Sequence, residues 1–170
     1  MEIVSGQLYF ISDSFFEIVG DPFLKINHED TKRPHYFALK DVSSSLFWLV
    51  PCSSKVDKFE EIIRQRQERR KQTDGIQIVT IQDRKMALLF QDMFPTSEQY
   101  IQEPYIRGGQ AVRIADPKVI QALEKKARKV IGLLRRGIRF TPTQPDALRI
   151  EKLMRSELSD LENSSNNRHV

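Results

Sequence analysis

Two short runs hold the side chains best suited to chemistry: PCSSK, Pro51 to Lys55, and TKRPH, Thr31 to His35. In the first, the hydroxyls of Ser53 and Ser54 and the ammonium of Lys55 sit where an apolar run gives way to a helical pattern. The free backbone N–H groups at a helix start would add an anion site to those side chains. Strand alternation puts Ser53 and Ser54 on opposite faces unless the chain bends at Pro51, so at least one can face a pocket. A structural role is equally open for Ser54: it could cap the helix starting near Val56, with Asp57 at the capping-box position. Capping and phosphate binding are compatible.

The second run places Lys32 and Arg33 in a polar loop just before the strand that pairs with the PCSS strand. A hairpin could therefore carry Arg33 or His35 toward the serines, and His35 could titrate near neutrality. Their ordinary readings are a solvated loop and a structural histidine. Cleaving RNA without a metal requires a base for the 2′-hydroxyl proton, an acid for the departing 5′-oxygen, and cations or hydroxyls for the charged phosphorane. The two runs contain groups of each kind. Cys52 is the single cysteine, and His28, His35 and His169 are the three histidines. No zinc-ligand spacing and no disulfide can be built from them, so neither metal nor other cofactor is expected.

The elements that must position these groups can be read from periodicity. Gln7 to Ser12 reads as a strand, and a short helical turn follows with Asp13 as cap and Gly20 as stop. Asn27 to Pro34 is too polar to pack and reads as a loop. HYFALKD and SLFWLVPCS form a hairpin in which Phe37, Leu39, Phe47 and Leu49 share a face. A helix begins at Val56 on the stripe Val56, Phe59, Ile62, Ile63; its second half, RQRQERRKQ, has no apolar anchor, and Asp74-Gly75 ends it. IQIVTIQ and KMALLFQDM are strands around a turn at Asp83-Arg84. Phe94 to Gly109 reads as a loop, and Ala111 to Ala115 as a short strand. The clearest helix opens at Asp116-Pro117 and closes at Gly137, with Val119, Leu123, Ala127, Val130 and Leu134 buried. A last helix starts near Pro145, with Leu148, Leu153, Met154, Leu158 and Leu161 as apolar contacts. Strands and helices do not alternate as a parallel sheet would require. The expected fold is α+β, a small, mostly antiparallel, half-open β-barrel decorated with helices. One domain spans residues 1–162, and residues 163–170 form a disordered polar tail.

The chain has 170 residues, 27 Lys+Arg against 23 Asp+Glu, and a net charge of +4, which permits a polyanionic partner without demanding one. Lys118 to Arg139 contains eight basic residues and Glu124 as its one acid. Lys125, Lys126, Lys129, Arg135, Arg136 and Arg139 thus form one candidate RNA footprint, and Lys58, Arg64, Arg66, Arg69 and Arg70 a second, with Lys32 beside the cleft. Tyr100, Tyr105 and Phe140 are candidate stacking partners. Solvated helical faces are the ordinary explanation for such runs. No apolar run reaches the roughly 18 residues a membrane span needs, and no secretory leader pattern opens the chain, so a cytoplasmic protein is expected.

YFALKD followed by LFWLVPCSSKVDKFEEI, a basic helix, two strands and DPKVIQALEKKARKVIGLLRRG resembles the toxins of type III toxin–antitoxin systems. The likeness is greatest to the CptIN group, with ToxN and AbiQ more distant. It spans roughly residues 7–155 and is sharpest at PCSSK and KARKVIGLLRRG. It implies a fold similar to the small-barrel endoribonuclease toxins and metal-independent cleavage of single-stranded RNA. The implied inhibitor is an antitoxin RNA of tandem pseudoknot repeats, cut by the toxin itself and bound in its basic grooves in a ring of alternating protein and RNA. The family's hydroxyl pair maps onto Ser53 and Ser54, where relatives often have threonine first. Its upstream basic residue maps onto Arg33 or His35, and its following lysine onto Lys55 or Lys58. A non-catalytic RNA- or protein-binding module on the same barrel is the alternative.

Overall fold

A computed structural model describes residues 1–168. In chain order the elements are β1 (Leu8–Ile11), α1 (Asp13–Val19), β2 (His35–Asp41), β3 (Leu46–Ser53), α2 (Val56–Glu68), β4 (Gln77–Ile81), β5 (Arg84–Leu88), β6 (Phe94–Thr96), β7 (Ile101–Pro104), β8 (Ile106–Arg107), β9 (Gln110–Ala111), α3 (Pro117–Arg135) and α4 (Ala147–Asn166). The main sheet runs β4-β5-β3-β2-β1-β7, with β6 also on β3, and every pairing is antiparallel. It is open at β4 and β7, so the α+β, half-open architecture is as expected.

β3 organises the sheet. One edge pairs with β2 along its length; the other pairs with β6 at Phe47–Leu49 and with β5 at Cys52 and Ser53. Every residue of β3 is buried, because both faces of the sheet are covered. Trp48, Val50 and Cys52 face α3 with Leu8, Tyr36, Leu123, Ala127 and Val130. Phe47 and Leu49 face α1 and α4 with Tyr9, Phe15, Phe37, Ile150 and Met154. A strand buried on both sides reads as a continuous apolar run rather than an alternation, as LFWLV does.

A register shift lies between Phe37 and Leu39. It puts Leu39 in the α3 core beside Ala38 and Trp48, so Leu39 does not share the face of Phe37, Phe47 and Leu49. Other expectations shift similarly. The β4–β5 turn is Gln82-Asp83, both at positive φ (49° and 63°), the conformation that two-residue hairpins favour. KMALLFQDM ends as a strand at Leu88 and continues as a tight turn, Phe90–Asp92. The expected loop from Phe94 holds three strands, and the expected strand Ala111 to Ala115 is reduced to a short pairing at Gln110–Ala111 and a bridge from Arg113 to Gln7. Ser12, not Asp13, stands at the cap position of α1. α2 stops at Glu68, before Asp74-Gly75. Val119, Leu148 and Leu161 are largely exposed. The tail expected to be disordered from 163 is helical to Asn166, while its last residues, 169 and 170, lie outside the described part.

Candidate active site

A cleft of about 500 Å³ gathers the two runs. Ser53, Ser54 and Lys55 form one side, at the end of β3; Thr31, Lys32 and Arg33 come from the loop before β2. Arg33 connects them directly: its Nη1 donates to the carbonyl of Cys52, the residue before Ser53, at 2.8 Å. Its Nε is buried without a partner. Sequence-distant hydroxyls and a guanidinium thus share one pocket.

The corner is built by hydrogen bonds that periodicity does not reveal. Ser53 is buried, and its Oγ accepts from the Lys55 N–H at 3.2 Å, a local turn typical of serine. Ser54 does not cap α2. Lys55 occupies the cap position, and no side chain accepts from the first turn of this 13-residue helix. Ser54 and Lys55 are exposed, and a shallow second hollow of about 290 Å³ runs over Ser54 to Lys58. The Lys55 and Val56 N–H groups are taken by the Ser53 hydroxyl and the Ser54 carbonyl, which leaves the N–H groups of Asp57 and Lys58, the Ser54 hydroxyl and the Lys55 ammonium around the same hollow.

The polar loop is fixed rather than loose. Asn27 Nδ2 donates to the Ile11 carbonyl (2.9 Å) and to Asp13 (2.8 Å), while its Oδ1 accepts from the Arg33 N–H (3.1 Å). Reciprocal backbone bonds between His28 and Thr31, 3.0 and 3.1 Å, close a tight turn between those anchors. That turn delivers His28 and Asp30 to the cleft.

His35 is not in the cleft. It is fully buried, with its ring 5.4 Å from that of Phe94 and 6.2 Å from that of Phe16. Neither ring nitrogen has a partner. Burial, and then the charge of Arg33, push its pKa down to about 3, so it is a neutral core residue and cannot exchange protons with a bound ligand. As the first residue of β2, facing inward, it had the right neighbours in sequence and the wrong side of the strand. Burial likewise pushes the Cys52 thiol up to about 12.

Several cleft residues come from outside the two runs, and Phe10, Lys85 and Arg107 among them carry no sequence signal of their own. Arg84 and Lys85 arrive on β5, Arg107 on β8, and Phe10 and Tyr105 form an edge-on pair with ring centroids 5.4 Å apart. Lys32 lies 5.8 Å over the Phe10 ring and 3.3 Å from Glu103. The turn after IQIVTIQ marked Arg84 as a hairpin residue, but only the β5–β3 pairing, Ala87 opposite Ser53, brings it to the cleft. Tyr105 was singled out as a stacking residue; Tyr100 instead is buried and donates to Glu157, and Phe140 packs against the α3 core.

The basic helices are less uniformly positive than their composition. Arg64 pairs with Glu61 and Glu68, Lys129 with Asp74 at 2.7 Å, and Arg135 with Glu151 at 3.3 Å. Arg66 donates to Gln91 and Lys126 to Gln77. Lys58 lies 5.4 Å over the Phe59 ring. Among the described residues Arg69, Arg70, Lys125, Arg136 and Arg139 are exposed and make no ion pair. Among the described residues, too, no three His, Cys, Asp or Glu side chains are grouped to hold a metal, and no helix is long and apolar enough to cross a membrane.

The fold and cleft define an α+β protein with an open antiparallel sheet and a cationic, hydroxyl-bearing pocket at the end of its central strand. Among solved structures the chain is similar to AbiQ, described as a lactococcal anti-phage endoribonuclease belonging to the type-III toxin-antitoxin system, with a TM-score of 0.69. The likeness covers 94% of this chain and 99% of that one at 10% sequence identity, and is one of fold. No family model matches the chain, and no curated protein matches it in sequence.

Proposed function

We propose that the chain is the toxin of a type III toxin–antitoxin system, of the CptIN group, and acts in the cytoplasm as a metal-independent endoribonuclease on single-stranded RNA. Its inhibitor is a tandem-repeat pseudoknot RNA, which it cuts into single repeats and then binds in a closed protein–RNA ring. The observation that carries this reading is the meeting of Ser53, Ser54, Lys55 and Arg33 on one cleft. The similarity of fold to AbiQ supports it.

In this reading the scissile phosphate sits over the start of α2. Ser54 and the free N–H groups donate to its non-bridging oxygens, while Lys55 and Arg33 neutralise the charge that grows as the 2′-oxygen attacks. Ser53 holds the Lys55 backbone in place. Phe10 and Tyr105 offer faces to unpaired bases. The products are a 2′,3′-cyclic phosphate and a 5′-hydroxyl.

The test is incubation of the purified chain with single-stranded RNA in EDTA. Cyclic-phosphate ends are expected, and Ser54→Ala or Lys55→Ala should slow cleavage about 10²-fold or more while RNA binding persists. Salt-dependent binding without cleavage would instead identify a non-catalytic RNA-binding module.

A further inference from the structure

We propose that His28 is the general base of this cleft, accepting the 2′-hydroxyl proton; the inference rests on the endoribonuclease reading above. The cleft is rich in cations and short of bases. Lys32, Arg33, Lys55, Arg84, Lys85 and Arg107 all line the pocket. Lysine and arginine side chains offer donors and no acceptor. They can neutralise a phosphate and help protonate a leaving oxygen, but cannot take a proton up. His35, the other histidine near the serines in sequence, is sealed in the core. The hydroxyls of the lining accept hydrogen bonds but are too weakly basic to hold a proton; the lining side chains with a basic atom are His28 and Asp30, both on the turn closed by Thr31.

Imidazole is the better base at neutral pH, because a carboxylate's basicity is too low to draw a proton from a ribose hydroxyl efficiently. The position is also a built one. His28 is exposed, but the residue before it, Asn27, is bonded to β1, to Asp13 and to the Arg33 backbone, and Arg33 in turn is bonded to the backbone preceding Ser53. The backbone that carries the imidazole is therefore pinned on both sides, by the Asn27 side chain and by the His28–Thr31 turn, to the same loop whose Arg33 bonds the strand before Ser53, which gives the loop the fixity that proton transfer needs.

In the step, an imidazole nitrogen of His28 takes the 2′-hydroxyl proton as the 2′-oxygen bonds to phosphorus. The bond from phosphorus to the 5′-oxygen breaks, and that oxygen leaves with a proton from a lining ammonium or from water. The imidazolium then returns its proton to solvent. One proton is taken and one given, and no co-reactant is consumed.

The experiment measures cleavage of single-stranded RNA in EDTA by the full chain, by His28→Ala and by Asp30→Asn. His28→Ala is expected to lose about 10²–10⁴-fold in rate with unchanged RNA binding, and added imidazole to restore a substantial part. A substrate with sulfur as the leaving atom, which no longer needs an acid, should leave the deficit in place. Full activity in His28→Ala, a loss that imidazole cannot restore, or a comparable loss in Asp30→Asn overturns the assignment while leaving the nuclease reading intact. An unmodified chain that leaves the RNA whole overturns both.

Discussion

Arg33 reaches the Cys52 carbonyl with one guanidinium nitrogen and leaves Nε buried and unpartnered, so the side chain carries both structure and charge. Arg33→Lys keeps the charge but not the fork that spans loop and strand, and is expected to slow RNA cleavage about tenfold or more, measured at saturating RNA. His35 makes a different prediction. Its pKa is about 3 in the folded chain against an ordinary 6.5, so below pH 6.5 the unfolded chain binds a proton that the folded one refuses. Stability is fully present above that pH and falls as the pH drops toward 3, by about 2 kcal/mol at pH 5. Asp92, raised by burial to about 6, works in the opposite sense, gaining stability as the pH falls from 6 to about 4. Urea unfolding of His35→Phe should therefore show a shallower acid loss than the unmodified chain, and Asp92→Asn a steeper one.

Among the elements, those long enough to show a helical period or a continuous apolar run, α3 and the doubly buried β3 alike, were legible, and the shortest were not. α3 keeps its Asp116 cap, its Pro117 and its stripe from Leu123 to Leu134, because an amphipathic helix writes its period into the sequence. The short strands β6 and β7 were missed because three or four residues that include a proline, Pro95 and Pro104, cannot show alternation, and their identity comes from pairing with β3 and β1. The candidate site was legible in part for the same reason. The PCSSK corner is local and could be read; the approach of Arg84 and Arg107 is tertiary and could not. Gly6 marks a joint between elements. It has φ of 83°, accepts from Ile114 N–H at 2.8 Å, and a Cβ there would lie 2.7 Å from Ile120 Cδ1. Gly6→Ala is expected to destabilise the chain by about 2 kcal/mol, read as a lowered Tm, by combining left-handed strain with overpacking against α3.

Over the whole molecule, the net charge of +4 is distributed between cations engaged internally and cations left free. If RNA follows the free ones, Lys125→Glu or Arg136→Glu should weaken binding and reduce the slope of log affinity against log salt by about one each. Lys129→Ala and Arg135→Ala should change that slope less, since Asp74 and Glu151 already hold those side chains.

The β4–β5 hairpin pairs with the central strand at two positions, Cys52 with Leu88 and Ser53 with Ala87, and adds one bond from Leu89 N–H to the Pro51 carbonyl, whereas β2 pairs with the same strand from Leu46 to Pro51. That shorter pairing leaves the hairpin, whose other ties are the core packing of Ile81, Met86 and Leu88 and the Arg107 bonds to its turn, less firmly laddered than the central one, and it carries Arg84 and Lys85 with it. Warming should thus unlatch one wall of the cleft while the central hairpin still holds. Amides of residues 77–88 are expected to exchange with deuterium well before those of Leu46 to Val50, and heat should silence the protein before it melts.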